Sequence, residues 1–329
     1  MPDRYDILLA NPSGVTVTPL AGDASGRRYA RWQHPAYGSM IHMDARDDRK
    51  DGVADFIKID EHLISLGLSA PVILARSPLE LLLEDLGDDL FSRVIARDAS
   101  VEKTLYLGAT DLLIAAQEAP PPQDLPELDP ATMVAAIAPA FDIYLKTTTD
   151  HDVLQVMQDA SRILEAALQR TYPKSPRILL RDYHADNLLW LPKRDGVARV
   201  GVLDFQDAHL GHPAYDLASL LEDARRDVSE ETREATIQHF LDKTNMESDE
   251  FHEGFCVQAA QRNLRILGVL ANLSLNKGKR HYLAFLPRVW DHLQRDLAHP
   301  SLRELRQILN ESLPAPTLPV LRRLEGPDA

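Results

Sequence analysis

The stretch 178–223, ILLRDYHADNLLWLPKRDGVARVGVLDFQDAHLGHPAYDLASLLED, constrains the chain more than any other. It opens as a short apolar strand, passes through a polar loop at 181–186 and resumes as a strand at 188–191. Asp195-Gly196 predicts a two-residue type I′ turn, because both central positions of that turn need positive φ. Residues 198–203 then form the return strand. On such a ladder, positions equidistant from the middle of the turn lie opposite each other, and Asn187 and Asp204 are one such pair. An amide oxygen and a carboxylate therefore arrive side by side at the open end of the hairpin, next to the loop that carries Asp182.

That convergence suits a hard cation. Magnesium takes a few oxygen ligands, keeps bound waters and completes its octahedron with substrate phosphates. Asp182 is then placed to accept a proton from an incoming hydroxyl. One base, one amide and one carboxylate on loop, strand and strand are the working parts of phosphoryl transfer.

The rest of the chain falls into two characters. Residues 15–20, 29–32 and 39–43 read as strands, with AGDASGRRY between the first two. Phe56, Ile59, Leu63 and Leu66 make one apolar helical stripe that ends at Gly67. Residues 71–75 and 79–83 read as two further strands. After the acidic segment 84–89 (EDLGDD) the pattern is mostly helical, interrupted by a surface connector at 119–130 (APPPQDLPELDP). Leu154, Met157, Leu164 and Leu168 define another stripe. Residues 257–272, 286–297 and 302–313 read as helices, and the proline-bearing tail from Pro314 as extended or loosely packed.

Composition removes several classes. The 329 residues carry 36 Lys plus Arg against 50 Asp plus Glu, a net charge of −14. An acid surplus argues against bulk nucleic-acid binding, which needs a basic face. A small phosphorylated ligand remains compatible, because a bound metal supplies positive charge. The single cysteine, Cys256, allows no disulfide framework or cysteine-zinc site and reads as a core thiol. No run reaches the ~18 apolar residues of a membrane helix, and the N-terminal apolar run is too short for a signal peptide. The expectation is a cytoplasmic protein with a small-molecule partner and neither nucleic acid nor membrane as partner; its oligomeric state is unknown.

D-x4-N at Asp182 and Asn187, followed by a strand, a hairpin and L-D-F at 203–205, resembles the aminoglycoside phosphotransferase-like (choline kinase-like) family, relatives of the protein kinases. Residues 201–224 (GVLDFQDAHLGHPAYDLASLLEDA) are similar to one branch of it, the bacterial anomeric kinases of N-acetylmuramate and N-acetylglucosamine. So are LAGDASGRRY at 20–29, MDAR at 43–46, LLLEDLG at 81–87 and the segment 261–297. The resemblance runs from about residue 19 to residue 300. It implies an α+β, bilobal protein-kinase-like fold. Residues 1–87 would be an N-terminal antiparallel β-sheet lobe plus one helix, and 88–329 a larger, mostly helical C-terminal lobe.

It also implies ATP and Mg²⁺ as cofactors and an amino sugar as hydroxyl acceptor, in recycling of cell-wall sugars. Asp182 matches the catalytic base, and Asn187 and Asp204 match the metal ligands. Gly22, Asp23, Ala24, Ser25, Gly26, Arg27 and Arg28 match the loop over the ATP phosphates. Glu84, Asp85 and Leu86 match the hinge that meets adenine. The chain departs from the family in lacking the lysine of the third strand that grips ATP phosphates, a charge that Arg27 or Arg28 would replace. An aminoglycoside-, choline- or thiamine-type kinase and an inactive ATP-binding pseudokinase are the alternatives. The histidines 184, 209 and 212 with Asp186 leave a metallohydrolase as a third, although their spacing fits no helical histidine pair.

Overall fold

A computed structural model describes residues 4–20, 26–47 and 53–326. Gly22, Asp23, Ala24 and Ser25 lie outside the described residues. The chain divides into two compact units, residues 1–124 with 185–208 and residues 125–184 with 209–329, and Gly87 lies inside the first.

The first unit is built on a five-stranded antiparallel sheet of order β1-β2-β3-β5-β4. The strands are β1 (Thr16–Pro19), β2 (Arg28–His34), β3 (Gly38–Asp44), β4 (Ile73–Arg76) and β5 (Glu80–Glu84). Alternation gives the sheet two different faces. Trp32, Met40, Ala75 and Leu82 point to one of them and form a small core with Leu8 of the helix Arg4–Ala10. Tyr29, Arg31, Ile41 and Leu83 share the other, since Arg31 pairs with Ile41 and Ile41 with Leu83. The helix Ala54–Ser65 buries Phe56, Ile59 and Leu63, and Gly67 ends it with φ +74°, a left-handed value that glycine adopts without strain.

The hairpin of the first unit departs from the expected turn. Its strands β7 (Leu188–Trp190) and β8 (Val200–Val202) pair Leu188 with Val202, one residue out of the register that an Asp195-Gly196 turn would set. Asp195 has an extended backbone, φ −111° and ψ 153°, and Gly196–Arg199 is a short 3₁₀ turn. The cause is tertiary. Ser69 accepts the Val202 N–H at 3.0 Å on its carbonyl, donates its hydroxyl to the Ala198 carbonyl at 2.7 Å and receives Arg194 Nη1 at 2.7 Å. Three bonds from a distant residue outweigh the local preference of one dipeptide.

The second unit is helical around one core. The long helix Ser248–Lys277 packs against the helices Val153–Thr171, Ala214–Leu221 and Leu286–Asp296. Gly268 sits where a Cβ would come within 2.2 Å of the Ala140 backbone nitrogen, so this close approach excludes any side chain. Strands β6 (Arg177–Leu179) and β9 (His209–Gly211) form a two-stranded ribbon beside these helices. Leu154 faces solvent at 58 % exposure, whereas Leu164 and Leu168 of the same stripe are buried. The tail differs from expectation. It forms a helix, Leu318–Arg323, with proline in the first turn where no N–H is needed. Leu324 is buried in the core, and Ser274 Oγ donates to its carbonyl at 2.9 Å. Cys256 is half-buried against that core, and burial pushes its thiol up to about 12.

Candidate active site

In the second unit, the loop after β6 carries Asp182. It is held by Asp216 in the helix Ala214–Leu221, whose two carboxylate oxygens accept the N–H groups of Leu180 at 2.6 Å and Arg181 at 2.9 Å. Arg181 adopts φ +66° there, an uncommon left-handed backbone that a double clamp can enforce. Ser219 Oγ donates to the Arg181 carbonyl at 3.2 Å and itself receives Arg262 Nη2 at 2.9 Å. Leu180 and Tyr183 are buried on either side. Asp216 therefore anchors this loop. Its own carboxyl is fully buried, and burial pushes it up to about 7 against the pull of the Leu180 and Arg181 N–H groups. His212 is also structural, since its Nδ1 accepts the Ala214 N–H at 3.1 Å and burial pushes it down to about 4.

In the first unit, Asn187 and Asp204 meet at the mouth of the hairpin, with Asn187 Nδ2 3.5 Å from Asp204 Oδ2. Register alone would not bring them together. The Leu203 N–H donates to the Asn187 carbonyl at 2.9 Å, so Asn187 lies opposite Leu203, and strict alternation would turn Asp204 to the other face. Asp204 instead adopts φ +58°, which breaks the alternation and returns its carboxylate to the side of Asn187. Aspartate tolerates that conformation better than most residues. Gln206 Nε2 braces the other carboxylate oxygen at 2.7 Å.

This pair lines a cavity of about 330 Å³. Its apolar walls are Ile41 and Leu83 of the sheet, Leu189 and Leu203 of the hairpin, and Phe56. The segment Glu84, Asp85, Leu86 and Gly87 lines the same cavity. The two carboxylates of that segment are spent within the protein. Glu84 Oε1 receives Arg194 Nη2 at 2.6 Å, and Asp85 is bound by Ser39, the Gly87 N–H and Arg31 Nε at 2.7 Å. What the segment can offer a ligand is its backbone.

Arg31 is the residue that sequence reasoning missed. It lines the cavity and binds Asp88 through Nη1 and Nη2 at 3.0 Å each, as well as Asp85. Asp88 first and Asp85 second hold its guanidinium charged well above its ordinary range. The signal was the two-residue alternation from Tyr29, legible only once β2 pairs with β3. Arg28 lies opposite Asp44 on the ladder and binds it at 2.9 Å and Asp47 at 3.1 Å, with Arg46 foremost in holding Asp44 below the usual carboxylate range. Arg27 is buried, at 6 % exposure, and Gly26 begins the described chain before β2. Met43, in the strand that lacks the expected lysine, is buried.

Polar residues on and after the helix Ser248–Lys277 divide between interior and surface. Arg262 and Asn263 are interior, with Arg262 Nη1 on the Glu222 carbonyl at 3.2 Å. Asn263 Nδ2 is shared between Glu222 at 2.6 Å and Asp296 at 2.9 Å. Lys277, Lys279 and Arg280 are exposed.

A family model described as the phosphotransferase enzyme family matches residues 16–252. An N-acetylmuramate/N-acetylglucosamine kinase of Caulobacter vibrioides is 36 % identical, over 94 % of this chain and 86 % of its own length. The protein of the same name from Pseudomonas putida is 29 % identical, over 91 % of this chain and 89 % of its own. Among solved structures, a choline/ethanolamine kinase family protein from Mesorhizobium loti superposes with a TM-score of 0.63 at 13 % identity, covering 92 % of this chain and 95 % of that one. The GDP complex of wild-type aminoglycoside 2′-phosphotransferase-IIIa gives 0.57 at 15 % identity, covering 89 % and 97 %. At those identities the structures speak for the fold. No described helix is long and apolar enough to cross a membrane.

Proposed function

The chain belongs to the phosphotransferase enzyme family, and we propose that it is a cytoplasmic kinase that transfers the γ-phosphate of ATP to the anomeric hydroxyl of an amino sugar such as N-acetylmuramate or N-acetylglucosamine. The observation that carries the reading is the meeting of Asn187 and Asp204, 3.5 Å apart, in the lining of an otherwise largely apolar cavity. A flat base fits between the aliphatic walls, with the backbone of Glu84, Asp85 and Leu86 as its polar edge. An amide oxygen and a braced carboxylate fit Mg²⁺, which prefers oxygen donors and phosphate partners. When bound there, the ion would neutralise charge on the nucleotide phosphates.

The chain's own residues supply the rest. Asp182 accepts the proton of the sugar hydroxyl, and the Asp216 clamp keeps its loop from drifting, which is where positioning contributes most to a loose phosphoryl transition state. Gly22 to Arg28 would close over the phosphates with backbone N–H groups. Arg27 or Arg28 would supply the missing lysine's charge, Arg28 while also binding Asp44 and Asp47. The names of the two kinases from Caulobacter vibrioides and Pseudomonas putida support the acceptor.

Incubation with Mg-ATP and a panel of amino sugars, aminoglycosides, choline and thiamine, followed by phosphorus NMR, tests this reading. An anomeric phosphate from N-acetylmuramate is the expected product. Phosphorylation confined to an aminoglycoside, choline or thiamine would overturn the acceptor, and ATP binding without any product would mark a pseudokinase.

A further inference from the structure

A second cavity, of about 410 Å³, lies wholly within the second unit. One wall is the helix Leu286–Asp296, which presents Arg288, Asp291, His292 and Arg295 at i, i+3, i+4 and i+7 and hence from one face. Facing them are Leu221 and Asp227. The two arginines differ in what they have left to give. Arg288 is committed: Nε and Nη2 bind the Asp227 carboxylate at 2.6 and 3.0 Å, and Nη1 binds the Ala224 carbonyl at 2.9 Å. It fixes the wall.

Arg295 makes ion pairs but no hydrogen bond. Its nearest acids are Glu222 at 3.6 Å and Glu230 at 3.9 Å, close enough for attraction and too far for a hydrogen bond. Glu222 is meanwhile bonded to Asn263. The Arg295 guanidinium makes no hydrogen bond among the described residues. Beside it, His292 is only 8 % exposed and its Nδ1 finds no partner within the protein. Burial first and Arg295 second push that imidazole down to about 3, so it is neutral and able to share a hydrogen bond with a hydroxyl or amide. The cavity thus offers one planar cation with unspent donors, one unsatisfied neutral ring and one carboxylate, Asp291.

A guanidinium fork with its donors unspent matches a carboxylate in geometry and charge. The neutral ring and Asp291 match the hydroxyl and acetamido groups of a sugar, and the volume suits one small ligand. The opposite segment, which lines the cavity with Leu221, Asp227 and Val228, carries Arg225 between them, and Arg225 Nη1 stands 3.4 Å from His184 Nε2, two residues beyond Asp182.

We infer that this cavity is the acceptor pocket, that its ligand class is a carboxylated N-acetyl amino sugar, and that Arg295 reads the carboxylate and so sets the preference between acidic and neutral sugars. The inference rests on the kinase reading above.

The test uses the full chain with Arg295→Gln and Arg295→Lys. Calorimetric binding of N-acetylmuramate and N-acetylglucosamine is measured without nucleotide, and turnover of both with Mg-ATP. Arg295→Gln should weaken N-acetylmuramate binding by about 10- to 100-fold, the range of charge-assisted hydrogen bonds. The kcat/KM ratio of N-acetylmuramate over N-acetylglucosamine should fall by a similar factor, and Arg295→Lys should recover part of both. Equal losses for the two sugars, no change in either, or a wild-type protein that binds neither would overturn the inference. Binding with the expected pattern but no phosphorylated product would support the sugar site and retire the kinase reading.

Discussion

The cavity beside the sheet and the cavity along the helix Leu286–Asp296 are similar in size and different in what lines them. The first, about 330 Å³, is lined by Asn187 and Asp204 and by two arginines, Arg31, held by Asp85 and Asp88, and Arg93, which reaches the Asp88 carbonyl at 3.4 Å. The second, about 410 Å³, has Arg295, which makes two ion pairs and no hydrogen bond among the described residues, beside the neutral ring of His292. The net charge of −14 looks different in that light. Residues 182–223 alone hold eight acids against three Lys or Arg, five of those fourteen charges. Of those acids Asp186 and Asp204 line the first cavity, whereas Asp216 and Glu222 are buried supports in the second unit.

The largest expected effect separates chemistry from binding. Asp182→Asn should lower kcat by roughly 10²- to 10⁴-fold, the usual worth of a positioned base. It should leave Mg-ATP affinity unchanged, because Asp182 is proposed to act on the acceptor hydroxyl and does not line the cavity proposed for the nucleotide. Steady-state kinetics beside nucleotide calorimetry would show the split, and joint loss of both would break the comparison.

Asp216→Ala strikes the support of the second unit. It leaves the buried N–H groups of Leu180 and Arg181 without partners, at a cost of about 2–5 kcal/mol. Urea unfolding should record that loss, and a stability within 0.5 kcal/mol of wild type would mean the clamp is dispensable.

Asn187→Ala and Asp204→Ala address the first cavity. Each should weaken Mg²⁺-dependent ATP binding by about 10- to 100-fold and leave sugar binding as it was. An unchanged ATP affinity in both variants would remove the pair from the metal role.

The smallest effect concerns Asp60, on the helix Ala54–Ser65. It is buried at 2 % exposure and its Oδ1 has no partner. Burial foremost, then Glu61 and Glu84, push its carboxyl up to about 7. Folding therefore takes up a proton between the ordinary carboxylate range and about pH 7, and the residue's contribution to stability falls as pH rises through that window. Asp60→Asn should stabilise the protein at pH 8 by roughly 1–3 kcal/mol and flatten this dependence. Unfolding curves at pH 5 and pH 8 that shift equally would contradict it.

Much of this was legible in the chain. The stripe from Phe56, the stop at Gly67 and the strands around AGDASGRRY follow from periodicity and turn chemistry. Asn187 and Asp204 do meet, as hairpin arithmetic suggested, but by a different route. A one-residue register change, imposed by Ser69, is undone by the left-handed backbone of Asp204. No local rule reports a bond made across 129 residues. Arg31 was hidden for a similar reason, since its face depends on the pairing with β3. Arg288, His292 and Arg295 were visible as a helical face, yet a charged helix face is usually just solvated. Only the partners of each guanidinium distinguish the hydrogen-bonded arginine from the one that is only ion-paired. The tail from Pro314 looked loose because its prolines dominate the local reading, whereas Leu324 finds its place in a core formed by residues far away in sequence.

Amide hydrogen exchange on the full chain, with Mg-ATP alone and with N-acetylmuramate alone, tests the division between the two cavities most directly. Mg-ATP should slow exchange at residues 83–87 and 187–204, and N-acetylmuramate at 221–228 and 286–296. Protection of the first set by the sugar, or of the second by Mg-ATP, would contradict it.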